Sequence, residues 1–187
     1  MEKNLLTLVT GGARSGKSSF GESILKDIDG QVLYIATAQA FDDEMKDRIK
    51  KHREGRPENW VTLEGYKNLA EEVQRYKGKV DGIFLDCITI MTTNLMFEEP
   101  IDWDVVSMDE VNKIEKNILK EIQDLIKVLK DFHVPVVFIT NELGLGIVPE
   151  NKIARIFRDI AGRVNQYIGR EVSNVYFVTC GIANKIK

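Results

Sequence analysis

Eight residues near the start of the chain, from Gly11 to Ser18, have the types and spacing of a loop that binds phosphate. Their order, Gly-Gly-Ala-Arg-Ser-Gly-Lys-Ser, fits the pattern G-x-x-x-x-G-K-[ST]. Glycines let backbone N–H groups approach phosphate oxygens, Lys17 brings a charge to the β- and γ-phosphates, and the Ser18 hydroxyl is a ligand for Mg²⁺. The predicted contacts of this phosphate loop with a nucleotide are Gly11, Gly12, Ala13, Arg14, Ser15, Gly16, Lys17, Ser18 and Ser19.

A match by accident is the alternative, and the flanking sequence argues against it. Residues 5–10 form a short apolar run of strand length, and residues 19–25 suit the opening of a helix. Strand, glycine-rich loop and helix in that order are the context in which such a loop binds phosphate. The sequence therefore predicts a nucleotide site near the amino terminus.

Composition and charge limit the number of domains and the classes of partner that the chain can have. With 187 residues, 43% of them hydrophobic and 29% charged, the chain suits one globular domain, and no repeat or linker divides residues 1–187. A net charge of −3 gives no reason to expect nucleic acid as a partner. No apolar run approaches the length of a membrane span or a signal peptide. The two cysteines, Cys87 and Cys180, show no metal or disulfide spacing, so we expect a reducing cytoplasm.

Alternating strand-like and helix-like segments predict the fold. The strand-like runs, nearly all apolar, are residues 5–10, 32–36, 82–86, 135–140 and 174–179. Such runs suit a parallel sheet that is covered on both faces. Helical spacing of apolar residues extends over 111–129, and a second helix is expected to open at Pro149-Glu150 and end near Gly169. The predicted fold is a three-layer α/β domain with a mostly parallel sheet, and residues 100–109 are expected to form a surface loop.

Polar residues follow several predicted strands, where ligands bind in open α/β sheets. They are Thr10, Thr37, Asp86 and the run Thr140-Asn141-Glu142. Asp86 ends the third apolar run, the position expected of a carboxylate that holds Mg²⁺ or its water shell. The alternative for Asp86 is a cap or a turn.

The two histidines differ in their surroundings. His133 lies between the long predicted helix and the fourth strand, which favours a loop or helix-end role. His52 shares a helical face with Met45 and Ile49, and cations surround it. Those cations favour the neutral, nucleophilic imidazole and attract a polyphosphate. From the residues alone, a histidine at the buried edge of a basic helix is the slightly favoured alternative.

Five ordered stretches resemble one enzyme family, and together they cover nearly the whole chain. They are residues 11–18, 34–38, 42–57, 140–149 and 155–166. The family is the bifunctional adenosylcobinamide kinase/adenosylcobinamide-phosphate guanylyltransferase of cobalamin nucleotide-loop assembly. The resemblance is carried by the stretches themselves, which are far more specific than the phosphate loop alone.

The resemblance implies two reactions and a set of site residues. A nucleoside triphosphate, ATP or GTP, phosphorylates adenosylcobinamide, and GTP then transfers GMP to that phosphate through a GMP–histidine intermediate on His52. The implied catalytic residues are His52, Lys17 and Asp86, with Ser18 and Asp86 holding Mg²⁺. Further nucleotide contacts would be Ala36, Thr37, Arg53, Glu54, Gly55, Arg56 and Glu64. The resemblance also implies a RecA-like P-loop NTPase sheet and a homotrimer.

Three other functions fit parts of the sequence. A kinase for another small metabolite would keep the phosphate loop and Asp86 without a reactive His52. A RecA-like translocating ATPase would need a basic surface for nucleic acid, which the net charge does not support. A nucleotide-gated interaction module would bind GTP without turnover. An Asn-Lys-x-Asp guanine signature is missing near residues 140–143, so the preference for guanine rests on the resemblance.

Overall fold

Within residues 5–39, 57 and 59–187, which the computed structural model describes, seven strands form one sheet. Their spatial order is β3-β2-β4-β5-β1-β6-β7, and neighbouring strands are parallel except for β6 and β7. The strands are β1 (Leu6–Gly11), β2 (Val32–Ala36), β3 (Trp60–Glu64), β4 (Gly82–Asp86), β5 (Val136–Asn141), β6 (Asn174–Thr179) and β7 (Ile182–Lys185). The mostly parallel α/β fold expected from the sequence is confirmed.

The five predicted strands are all present, and two further strands were missed. The predicted runs 5–10 and 135–140 are each displaced by one residue, and the other three agree with the structure. β3 and β7 lie at the two edges of the sheet, where they expose more of their side chains than the central strands do. Because an edge strand needs no continuous apolar run, the pattern that identified the others did not identify these two.

Five helices cover the sheet in the described residues: α1 (Lys17–Leu25), α2 (Leu69–Gln74), α3 (Ile88–Met96), α4 (Met108–Lys130) and α5 (Lys152–Glu171). On one face, α1 contacts the central strands and contributes Leu25 to an apolar cluster with Val9, Phe84 and Ile139. The other four helices share the larger cluster on the opposite face. None of these helices is long and apolar enough to cross a membrane.

The long helix α4 has a capped start and the apolar stripe that its sequence predicts. Ser107 and Glu110 form a capping box, in which the Ser107 hydroxyl accepts from the Glu110 N–H and the Glu110 carboxylate accepts from the Ser107 N–H. Residues from Val111 to Leu129 bury the expected apolar stripe. The helix begins at Met108, so the loop expected over 100–109 ends at Ser107.

The last helix, α5, begins later than the sequence suggested. The structure places its start at Lys152, and Asn151 is the cap because its side-chain oxygen accepts from the Ala154 N–H at 3.0 Å. Pro149 lies outside the helix, and its carbonyl accepts from the Arg155 guanidinium at 2.9 Å. The prediction of a start at Pro149-Glu150 was wrong, because Asn151 is the residue whose side chain caps the first turn.

Candidate nucleotide site

The phosphate loop joins β1 to α1 at the carboxyl ends of the parallel strands. Gly11 is buried, and a Cβ added to it would lie 2.4 Å from the Val178 carbonyl oxygen and 2.7 Å from Ser15 Oγ. Gly16 has φ of 92°, in the left-handed region, and directly precedes the helix. Glycine is therefore required at both positions, at one by space and at the other by conformation.

The loop has polar groups of the kinds that bind an anion. Ser15 Oγ is buried and has no hydrogen-bond partner among the described residues. The Lys17 ammonium donates to the Gly12 carbonyl at 3.1 Å, which holds the charge across the loop. Helix α1 has no acidic residue in its first turn and no side-chain cap, so its amino terminus presents N–H groups and a positive dipole. These groups fit a triphosphate.

A turn at the other end of the chain supports the loop. The N–H of Gly181, between β6 and β7, donates to the Ser15 carbonyl at 2.8 Å. A Cβ on Gly16 would meet the Gly181 Cα at 3.1 Å. Gly181 was not predicted as part of the site, although a glycine soon after the last apolar run is a signal for a turn.

Asp86 ends β4, one strand away from β1, with β5 between them. It is half-buried, and its Oδ2 accepts from the Tyr34 hydroxyl at 3.0 Å. Among the described residues there is no group of three or more acids, histidines or cysteines that would form an all-protein metal site. Mg²⁺ commonly takes one or two protein ligands and completes its shell with water and phosphate, so Ser18 and Asp86 fit that ion.

Cys87, next to Asp86, is a structural thiol. Its sulfur accepts from the Ile90 N–H at 3.5 Å and caps α3. Burial, together with the Asp86 carboxylate, raises the pKa of the thiol to about 11, although the Lys17 ammonium acts in the opposite direction. A neutral thiol is a poor nucleophile, so Cys87 does not compete with a histidine for a covalent intermediate.

The predicted nucleotide contacts on β2 and β3 also lie at the carboxyl ends of the strands. Ala36 pairs with Asp86 on one side and with Glu64 on the other. The Thr37 hydroxyl donates to the Cys87 carbonyl at 2.8 Å and accepts from the Cys87 N–H at 2.9 Å. Thr37 is buried, and its hydroxyl therefore connects β2 to the start of α3.

The remaining predicted site residues cannot be compared with the structure. His52, Arg53, Glu54, Gly55 and Arg56 lie outside the described residues, so their roles stay predictions. His133 is exposed and lies three residues before the first residue of β5, at the opposite end of that strand from the phosphate loop. That position agrees with the structural role expected for it.

The chain is similar to proteins of one biosynthetic family. The family model described as cobinamide kinase / cobinamide phosphate guanyltransferase matches residues 7–186. The bifunctional adenosylcobalamin biosynthesis protein CobU of Escherichia coli (strain K12) is 46% identical over 98% of this chain and 100% of that protein. The CobU protein of Salmonella typhimurium is 47% identical over the same shares. The bifunctional protein CobP of Pseudomonas aeruginosa is 33% identical over 96% of each chain.

Proposed function

The chain belongs to the cobinamide kinase / cobinamide phosphate guanyltransferase family, and we propose that one nucleotide site on its phosphate loop performs both reactions. The protein is a bifunctional enzyme of cobalamin biosynthesis. It phosphorylates adenosylcobinamide with a nucleoside triphosphate and then transfers GMP from GTP to adenosylcobinamide phosphate. The products of the second reaction are adenosylcobinamide-GDP and pyrophosphate.

In the kinase reaction, a hydroxyl oxygen of adenosylcobinamide bonds to the γ-phosphorus while the bond from that phosphorus to the β–γ bridging oxygen breaks. The nucleoside diphosphate leaves with the electron pair, and the proton of the hydroxyl passes to water. Backbone N–H groups of the loop and the Lys17 ammonium stabilise the charge that develops on the phosphates. Ser18 and Asp86 would hold Mg²⁺, which neutralises phosphate charge when it is bound.

In the guanylyl transfer, we propose that a neutral nitrogen of His52 bonds to the α-phosphorus of GTP and releases pyrophosphate. A phosphate oxygen of adenosylcobinamide phosphate then bonds to the same phosphorus, and the bond to the histidine breaks. Lys17 and the loop N–H groups would hold the leaving pyrophosphate, as they hold the β- and γ-phosphates in the first reaction. Arg53 and Arg56 would add positive charge to the site.

The observation that carries this proposal is the geometry of the phosphate loop. Three groups of the loop lie at the carboxyl ends of the parallel strands: the buried Ser15 hydroxyl, the Lys17 ammonium and the uncapped amino terminus of α1. Asp86 lies at the same side of the sheet, because it ends β4. The same groups can stabilise charge whether the α- or the γ-phosphorus reacts, because the position of the acceptor decides which phosphorus it attacks.

The test is incubation with GTP labelled at the α-phosphate, followed by treatment of the protein with acid or base. We expect a label that is lost in acid and retained in base, which is the stability of a phosphoramidate. GTP labelled at the γ-phosphate serves as the control and should leave no label on the protein. A kinase for another metabolite, or a module that only binds GTP, would give no adduct.

Three finer features are also part of the proposal. We propose that GTP and ATP both serve the kinase step, which a comparison of the two nucleotides in initial-rate assays tests. We propose a homotrimer in the cytoplasm, and light scattering on the purified protein gives the mass. A monomeric mass at assay concentration would contradict the trimer.

A further inference from the structure

Asn141, the last residue of β5, has both polar groups of its backbone in a closed ring of hydrogen bonds. Its N–H donates to the Thr89 hydroxyl at 2.7 Å, and its carbonyl accepts from the Asn165 side-chain amide at 3.1 Å. The ring closes through Thr140, whose hydroxyl donates to Asn165 Oδ1 at 2.8 Å and lies 3.2 Å from the Thr89 hydroxyl. Because Thr140 gives its hydrogen to Asn165, Thr89 donates to Thr140, and all four bonds run in one direction.

Two members of the ring, Thr89 and Thr140, are buried beside apolar residues, and Asn141 and Asn165 are half-buried. Thr140 is 1% exposed and Thr89 is 6% exposed. The strand residues nearby on the same face, such as Leu8 and Phe138, belong to the large apolar cluster. A fully satisfied network of buried polar groups fixes one arrangement and resists displacement. Helices α3 and α5 therefore hold the end of β5 in one position.

The direction of the Asn141 side chain follows from strand alternation. Ile139 packs in the cluster under α1, and Thr140 faces α3 and α5. Asn141 therefore faces the same side as Ile139, which is the side of α1 and the phosphate loop. It pairs with Gly11, the first residue of that loop, and its strand lies between β1 and the strand that ends at Asp86.

We propose that the Asn141 side-chain amide binds the γ-phosphoryl group of the nucleoside triphosphate, and that Thr89, Thr140 and Asn165 act as positioning residues for it. The inference rests on the proposed function, because it needs a triphosphate on the phosphate loop. An amide N–H donates to a phosphoryl oxygen without adding charge, and a donor fixed in advance costs no reorganisation during transfer. In guanylyl transfer the same contact holds the leaving pyrophosphate.

The test compares the affinities for guanosine 5′-(β,γ-imido)triphosphate and GDP, both with Mg²⁺, by calorimetry. In Asn141→Ala we expect the affinity for the imido triphosphate to fall by about tenfold or more, because a hydrogen bond to a charged group is lost. Affinity for GDP should stay within about twofold, since GDP has no γ-phosphoryl group. Asn141→Asp should discriminate against the triphosphate more strongly, because it adds a negative charge. A wild-type ratio of affinities in both variants overturns the inference.

The positioning role is tested on one helix with matched substitutions. Thr89→Val breaks the ring and should lower the ratio of triphosphate to diphosphate affinity by about threefold or more, and Thr89→Ser should restore it. Thr92→Val is the control, because Thr92 is equally buried on α3 and its hydroxyl has no partner among the described residues. An equal effect of Thr92→Val and Thr89→Val would show that packing is responsible, and it would overturn the positioning role.

Lys17→Ala separates failure of this inference from failure of the proposed function. The Lys17 variant should bind both nucleotides more weakly than the wild type. If it binds both normally, the phosphate loop is not the nucleotide site, and the proposed function and the inference fall together. If it weakens both while Asn141→Ala keeps the wild-type ratio, only the inference fails.

Discussion

In the mechanism that we propose, the two reactions use different nucleophiles, so one substitution should separate them. His52→Asn removes the nitrogen that would bond to the α-phosphorus, and we expect guanylyl transfer to fall by about 10³-fold or more, with no covalent GMP. Kinase activity should persist, because a substrate hydroxyl attacks the γ-phosphorus directly. The measurement is adduct formation from labelled GTP in parallel with phosphorylation of adenosylcobinamide.

The control for His52 is the second histidine of the chain. His133→Asn makes the same chemical change at an exposed position before β5, away from the phosphate loop. Both activities should stay near wild type in this variant. An adduct that persists after His52→Asn would place the nucleophile on another residue.

The buried thiol of Cys87 predicts a loss of stability in alkali. Its pKa is raised from the ordinary value of 9.0 to about 11 in the folded protein, so the thiolate forms more readily in the unfolded chain. The stabilisation is complete below pH 9 and is lost as the pH rises to 11, at a cost of about 3 kcal/mol. Cys87→Ser, which does not titrate in this range, should lose less stability between pH 8.5 and 10.5 in denaturant unfolding. Parallel losses in the two proteins would contradict the shift.

The hairpin of β6 and β7 forms one side of the sheet, and its turn also supports the phosphate loop. Gly181 has φ of 78°, and a Cβ on it would meet no atom within 4 Å. Gly181→Ala should therefore cost about 1 kcal/mol of stability through backbone strain alone. Since Gly181 donates to Ser15, we also expect severalfold weaker binding of GTP.

Gly78→Ala is the matched control for the hairpin. Gly78 has φ of 73° and equally open space, but it lies in the turn between α2 and β4. The two variants should lose similar stability in thermal unfolding, and only Gly181→Ala should lose affinity for GTP in calorimetry. Equal affinities in the two variants would show that the turn does not support the loop.

Among the helices and strands, the sequence predicted those whose position is set by the spacing of apolar residues. The apolar stripe of α4 and the five central strands follow directly from spacing. The start of α5 did not, because two adjacent signals competed and the side chain of Asn151 was the better acceptor. The edge strands β3 and β7 depend on neighbours distant in sequence, which no local pattern records.

For the molecule as a whole, the order of the strands predicts a gradient of local stability. β4, β5 and β1 lie at the centre of the sheet, with buried side chains on both faces, whereas β3 and β7 are its edges. Amide hydrogen exchange should therefore be slowest in the three central strands and fastest in β7. Exchange in β7 as slow as in β5 would contradict this ranking.

The site was predicted in part for a similar reason. A phosphate loop has a fixed spacing along the chain, so Gly11 to Ser18 were identified from the sequence. Asp86 was proposed because it ends an apolar run, and the structure places it at the end of β4. The contacts made by Gly181, Thr89 and Asn165 join segments far apart in the chain, and their residue types are common in loops and helices. Only the folded topology brings Gly181 to the phosphate loop, and Thr89 and Asn165 to the end of β5.

The place of β1 in the sheet also sets when the nucleotide site can form during synthesis. β1 is made before the other strands of the described sheet, yet its two neighbours, β5 and β6, begin only at Val136 and Asn174. At about 5–20 residues per second, the ribosome needs on the order of ten seconds to supply them. Until then β1 has neither of its neighbouring strands, and the loop lacks the hydrogen bond from Gly181 to Ser15. Nucleotide binding by a nascent chain should therefore appear only after β5, β6 and the Gly181 turn have left the ribosome.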